Sequence, residues 1–235
     1  MVPFRSRLAA AVVTGCVWGL GVAGPGSRVH AEADVVDAWL SRQADVRSWS
    51  ADFTQTRTLK TLAQPVTSSG RVWFQAPNRF RWELGMPPQT LAVRGSNQVL
   101  ILYPLLKRAE RYPVDSTAAG PWRHMLALLE AGFPSSRQQL ESGFRIAATR
   151  REPGQVTVSL EPRSAQARRL MPLFRVRLDP ATSALQGTEM TFADGSTLQN
   201  SFSNVVENPN IPPDFFEPRL DPETAVTEPL STPRR

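Results

Sequence analysis

Residues 69–84, SGRVWFQAPNRFRWEL, describe two adjoining strands loaded with aromatic side chains. Val72, Phe74 and Ala76 alternate with Arg71, Trp73 and Gln75. Past an Ala-Pro-Asn turn, Phe80, Trp82 and Leu84 alternate with Arg79, Arg81 and Glu83. A period of two puts the two sets on opposite faces of a pleated strand, one apolar and one wet. Large aromatics on neighbouring strands build either a thick sheet core or the wall of a cavity for something greasy.

At 235 residues the chain suits one sizeable all-β domain and is short for two independent ones. Residues 1–31 read as a signal peptide. Arg5 and Arg7 form its basic start, residues 8–23 its apolar run, and Val29-His30-Ala31 a small-x-Ala cleavage site. The mature chain is expected to begin at Glu32 and to be soluble in the periplasm or outside the cell. The one cysteine, Cys16, lies inside this segment. Val13-Thr14-Gly15-Cys16 loosely resembles a lipid-attachment sequence, but few apolar residues precede it and an apolar run follows it. A domain cut after Ala31 contains no cysteine, so packing must hold it together. Loss of Arg5, Arg7 and Arg28 takes the net charge from +6 to +3, with 24 bases against 21 acids. The arginines are scattered through every segment, which argues against a nucleic-acid partner.

Residues 32–44 carry Val35, Val36, Ala38, Trp39 and Leu40 in the pattern of an amphipathic helix. A strand follows from Trp49 to about Leu59, then the aromatic pair. Turns at 85–88 and 95–97 bound strands at 90–94 and 98–103. The second of these, QVLILY, is apolar on both faces, so something must cover each side of it. A short strand is expected at 107–112. Residues 116–133 break the β pattern, with Met125, Leu126, Leu128 and Leu129 at helical spacing; this second helix is placed to lie across the sheet as a lid. Strands resume at 144–150, 155–161, 170–178, 184–192 and 197–205, and residues 208–217 close the domain. From Pro218 to Arg235 the composition is Pro, Glu, Thr and Ser without hydrophobic pattern, which predicts a disordered tail. The fold class is therefore mainly β with a helical lid: one strongly curved antiparallel sheet, capped by helices.

Little in the chain points to catalysis, and a binding protein without cofactor or metal is the expectation. His124 is the one histidine outside the leader, with no cysteine beside it, so Cys/His nucleophilic sites and most zinc sites are excluded. No nucleophile elbow, phosphate loop or dinucleotide glycine fingerprint is present. Asp52, Glu83 and Glu110 alternate with arginines on wet faces, where solvated ion pairs account for them.

Taken in order, the leader, the amphipathic helix, SWSADFTQT, GRVWFQAPNRFRWEL, QVLILYPLLKRAERY and NPNIPPDFFEP resemble the LolA family of periplasmic outer-membrane lipoprotein carriers. The similarity runs from about Glu32 to Glu217. It implies an open, incomplete β-barrel whose concave face shelters the acyl chains of a lipoprotein. It also implies an inner-membrane ABC transporter as donor and an outer-membrane acceptor; the chain itself is expected to be a monomer. Another envelope lipid or glycolipid would suit the same scaffold, as would a non-enzymatic sensor or regulatory module. In the best-known members an arginine thought to hold the lid closed precedes the Pro-Asn of the aromatic pair; here that position is Ala76. The expected lining of the cavity is Phe53, Val72, Phe74, Phe80, Trp82, Leu84, Leu91, Val93, Val99, Ile101 and Tyr103. Trp39 and Leu40 face it from the first helix, and Leu126 and Leu129 from the lid.

Overall fold

A computed structural model of the chain describes residues 26–113, 133–134 and 136–229. The leader up to residue 25 and the expected lid helix, apart from Phe133, lie outside the described residues. Among the described residues twelve strands form one sheet. The first half supplies β1 (Ser48–Thr58), β2 (Val66–Gln75), β3 (Arg79–Leu84), β4 (Thr90–Arg94), β5 (Gln98–Tyr103) and β6 (Arg108–Pro113). The second half supplies β7 (Phe144–Glu152), β8 (Gln155–Pro162), β9 (Leu173–Leu178), β10 (Leu185–Thr191), β11 (Thr197–Glu207) and β12 (Ala225–Thr227). Their order across the sheet is β12-β6-β5-β4-β3-β2-β1-β11-β10-β9-β8-β7. All neighbours are antiparallel except β12 on β6. The outermost strands β12 and β7 do not meet, so the sheet curves without closing.

Helix α1 (Gly26–Ala44) presents Val35, Val36, Trp39 and Leu40 to the concave side. They join Trp49, Phe53, Val156, Val158, Leu160, Phe174, Val176 and Leu178 in one packed cluster. Full burial of such side chains contributes about 1.5–3 kcal/mol each, which is why the helix docks here. The helix is tied by polar contacts as well. Arg42, in the last turn where a cation complements the helix dipole, donates to Glu207 from Nη2 at 2.7 Å and to the Thr182 carbonyl at 3.2 Å. Asp37 accepts from Arg137 Nη2 at 2.6 Å, which joins α1 to the short helix α2 (Arg137–Gly143).

Four features depart from the sequence reading. Helix α1 begins at Gly26, not at residue 32, and so runs across the expected cleavage site. Helix α2 is an addition to that reading; Ser136 caps this helix by accepting from the Gln139 N–H at 3.1 Å. The strand expected to start at Leu170 begins at Leu173, because residues before Pro172 form a second short helix, α3 (Ala165–Leu170), capped by Ser164. The tail is also ordered over Ala225–Thr227, which adds β12 beside β6 and covers that sheet edge. Composition hid this strand because three residues are too few to show a period, and its stability comes from its neighbour. Thr227 Oγ1 donates to the Ala109 carbonyl, and Lys107 and Arg111 pair with Glu223 and Glu228.

Between β11 and β12 the chain crosses the convex side of β2–β5. Ile211, Phe215 and Phe216 pack there on Trp73, Leu91, Val93 and Leu102. The Arg81 guanidinium lies 4.6 Å from the Phe215 ring centre and donates to the Phe215 carbonyl at 3.1 Å. This strap is the cover that the doubly apolar β5 demands on its outer face.

The concave wall as candidate functional site

Cross-strand partners share a face, so the register assigns the concave wall row by row. One row runs Tyr112, Val99, Arg94, Phe80, Phe74 and Trp49; the next runs Glu110, Ile101, Ala92, Trp82, Val72 and Ala51. A third includes Arg108 beside Tyr103 and, on the neighbouring strands, Thr90, Leu84, Gly70 and Phe53.

The wall has two unlike halves. Around β1 and β7–β11 it is filled: Trp39, Leu40, Phe53 and Val72 are buried in the packed cluster with α1. These four expected lining residues therefore serve as core. Along β2–β5 the wall stays partly open. Phe74, Trp82, Leu84, Ile101 and Tyr103 are half-buried, while Phe80 and Val99 form the buried floor between them. The Trp82 ring lies 4.1 Å from Phe53 and links the two halves. Phe133, the last residue of the segment read as a lid, stacks on Phe74 with ring centres 4.4 Å apart and meets Trp49 edge-on at 5.0 Å. Leu126 and Leu129 lie outside the described residues.

Leu91 and Val93 require correction. Trp82 pairs with Ala92, and Phe80 with Arg94, so Leu91 and Val93 point to the convex side, under Phe216. A cavity of about 370 Å³ is lined there by Val93, Gly95, Leu100, Phe216 and Pro218. It lies behind the sheet, on the side away from the concave wall.

The same register puts Arg94, Arg108, Glu110 and Tyr112 on the greasy side, which corrects the reading of Glu110 as a residue of a wet face. Arg94 is 8% exposed and sits between Phe80 and Val99. Glu110 accepts from the Tyr112 hydroxyl at 2.8 Å and from Arg108. Arg108 in turn lies 5.1 Å from the Tyr103 ring centre. The signal that could have found them lies in the turns: pairing Leu84 with Thr90 across 85–89 fixes the parity of β4, and the 95–97 and 104–107 turns pass it on to β5 and β6. Burial pushes the Glu110 carboxyl up, but the bonds from Arg108 and Tyr112 outweigh it and hold the group below the usual range. Ala76 is exposed on its turn, and its N–H donates to the Arg47 carbonyl at 2.8 Å. Arg79 bonds Ser96 and Arg81 faces the strap, so neither stands on the concave side.

Burial first, and the bond to Glu110 second, push Tyr112 from 10.0 up to about 12. The chain has two tyrosines, so Tyr103→Phe isolates Tyr112 for titration by phenolate absorbance. The midpoint is expected near 12 in folded protein and near 10 in denaturant. Because the folded value is the higher one, the phenol's contribution to stability is complete below pH 10 and is lost as pH rises through 12. A folded-state midpoint at 10 would contradict the buried bond.

The family model described as "Outer membrane lipoprotein carrier protein LolA" matches residues 44–219. An outer-membrane lipoprotein carrier protein of Dechloromonas aromatica is 25% identical over 187 residues, covering 80% of this chain and 84% of the relative. One from Methylibium petroleiphilum is 29% identical over 187 residues, covering 79% and 85%. Among solved structures, an uncharacterised conserved protein of Thermus thermophilus aligns with a TM-score of 0.49 at 13% identity, over 83% of this chain and 98% of that one.

Proposed function

Because this chain belongs to the LolA family, we propose that its concave wall binds the acyl chains of lipoproteins and carries them through the periplasm from the inner to the outer membrane. The donor is an ABC transporter of the inner membrane and the acceptor an outer-membrane receptor. The observation that carries this reading is the half-open row Phe74, Trp82, Leu84, Ile101 and Tyr103 beside a fully packed half. A sheet that used its whole concave face as core would bury these side chains as completely as Val158 and Val176, which are 0% exposed. Among the described residues no helix is long and apolar enough to cross a membrane.

Magnitudes constrain how such a carrier grips. Burying a CH₂ contributes about 0.8 kcal/mol, so three chains of about fifteen carbons total roughly 36 kcal/mol. Non-covalent affinity saturates near about 20 kcal/mol, and a carrier that gripped everything would never release. The wall therefore shields the chains loosely, and the polar trio Arg108, Glu110 and Tyr112 bounds the apolar area on the β6 side.

A hydrophobic fluorescent probe is expected to bind the purified protein saturably. Ile101→Asp, which puts a charge on the half-open wall, should weaken that binding about tenfold or more while the protein still melts cooperatively. Mass spectrometry of lipid co-purified from the native host should recover acylated protein. Wild-type protein that takes up neither probe nor lipid would end the carrier reading.

A further inference from the structure

The two ends of the sheet differ in what their turns expose. At one end lie the β1–β2, β3–β4, β5–β6 and β10–β11 turns together with α3, as the antiparallel order requires; the Ala193 N–H donates to the Leu170 carbonyl and holds α3 to the β10–β11 turn. Large apolar side chains stand out from this end. Met86 is 75% exposed, Leu105 75%, Leu106 69%, Leu170 49% and Leu62 46%. The opposite end is built from Ala76-Pro77-Asn78, Gly95-Ser96-Asn97, Pro153-Gly154 and Pro180-Ala181-Thr182-Ser183, with Val205 and Val206 as its exposed large apolar side chains.

From this asymmetry we infer that the end bearing Leu62, Met86, Leu105, Leu106 and Leu170 docks onto an anionic lipid surface. Three observations favour a membrane over a protein partner. First, the apolar side chains sit on four separate projecting segments, not around one groove. A peptide or helix could fill one such tip; a plane can accept all of them together. Second, both lysines of the chain, Lys60 and Lys107, stand at this end with the exposed Arg57, Arg168 and Arg169, against Asp194, Asp221 and Glu223, the last of which pairs with Lys107. A cationic rim around small apolar wedges matches the anionic surface and acyl boundary of a bilayer. Third, Leu84 and Tyr103, at the ends of β3 and β5, run directly into the Met86 and Leu105 turns. The half-open wall thus continues to the docking end, where an acyl chain could pass without crossing water.

The inference does not depend on which cargo the wall holds, and the experiment separates the two. Full-length mature protein is floated with vesicles of phosphatidylcholine containing about one third phosphatidylglycerol. Wild type is expected to float, less so with phosphatidylcholine alone or in high salt. The Leu105→Asp/Leu106→Asp pair should reduce the bound fraction about tenfold, with an unchanged melting temperature because both side chains are exposed. That variant should still bind the fluorescent probe. Val205→Asp/Val206→Asp at the other end should float like wild type. Wild-type protein that ignores both vesicle types, or Leu105→Asp/Leu106→Asp floating as well as wild type, would overturn the docking surface while leaving the carrier reading untouched. Equal loss in the Val205/Val206 pair would overturn it too, since it removes the distinction between the ends.

Discussion

Trp39→Ala is expected to destabilise the protein by about 3–5 kcal/mol, a large share of a typical domain's stability of about 5–15 kcal/mol. Trp39 is 0% exposed and lies in the cluster where α1 meets β1 and β7–β11. Its indole is the largest side chain the helix places there, and the sheet cannot collapse around the void because antiparallel strands on both sides fix its spacing. Among the described residues the buried indole N–H has no acceptor, which gives the prediction a second arm. Trp39→Phe leaves a smaller void and removes an unpaired donor whose desolvation costs about 1–3 kcal/mol. It should cost far less than the alanine variant, and urea melts of the two would show it. Equal losses would mean that the N–H has a partner in solution.

How much of this was legible in the sequence depends on local constraint. The bounds of β4 and β5 emerge as read because tight turns at 85–89 and 95–97 flank them. The doubly apolar character of β5 correctly demanded two covers, and the Ile211–Phe216 strap is the outer one. The same property defeated the reading of β4. Leu91, Ala92 and Val93 are apolar on both faces, so alternation cannot say which set looks inward. Only the pairing with β3 decides it, and Arg94 comes inward as a consequence. Whether an apolar residue becomes core or open lining was likewise hidden. Val72 and Trp82 are direct cross-strand partners, yet one is 2% exposed and the other half-buried. The difference comes from what packs above the sheet, which no strand pattern records. Short helices α2 and α3 escaped because about two turns or fewer carry no clear period.

Gly70→Ala is expected to cost about 3 kcal/mol, at the upper end of what overpacking a core imposes. Gly70 sits directly across from Phe53 on β1 and from Leu84 on β3. A methyl group there would stand 2.0 Å from the Glu83 carbonyl oxygen and 2.5 Å from Phe53 Cζ. The oxygen belongs to the backbone of the paired strand and cannot yield without breaking the ladder. The Phe53 ring, which fills the space a side chain would take, can yield only by pushing on Trp82, 4.1 Å away. Overpacking at Gly70 therefore travels through Phe53 into the half-open wall. Gly70→Ala should lower stability, change the tryptophan emission of the folded protein and weaken probe binding together. Gly154→Ala is the contrast, since no described atom lies within 4 Å of the added carbon there and only its positive φ resists it. Substitution at that turn should leave tryptophan emission and probe binding as they are. If Gly70→Ala melted like wild type, the close approach of Phe53 to the β2 backbone would be wrong, and with it the joint between the packed half of the wall and the open one.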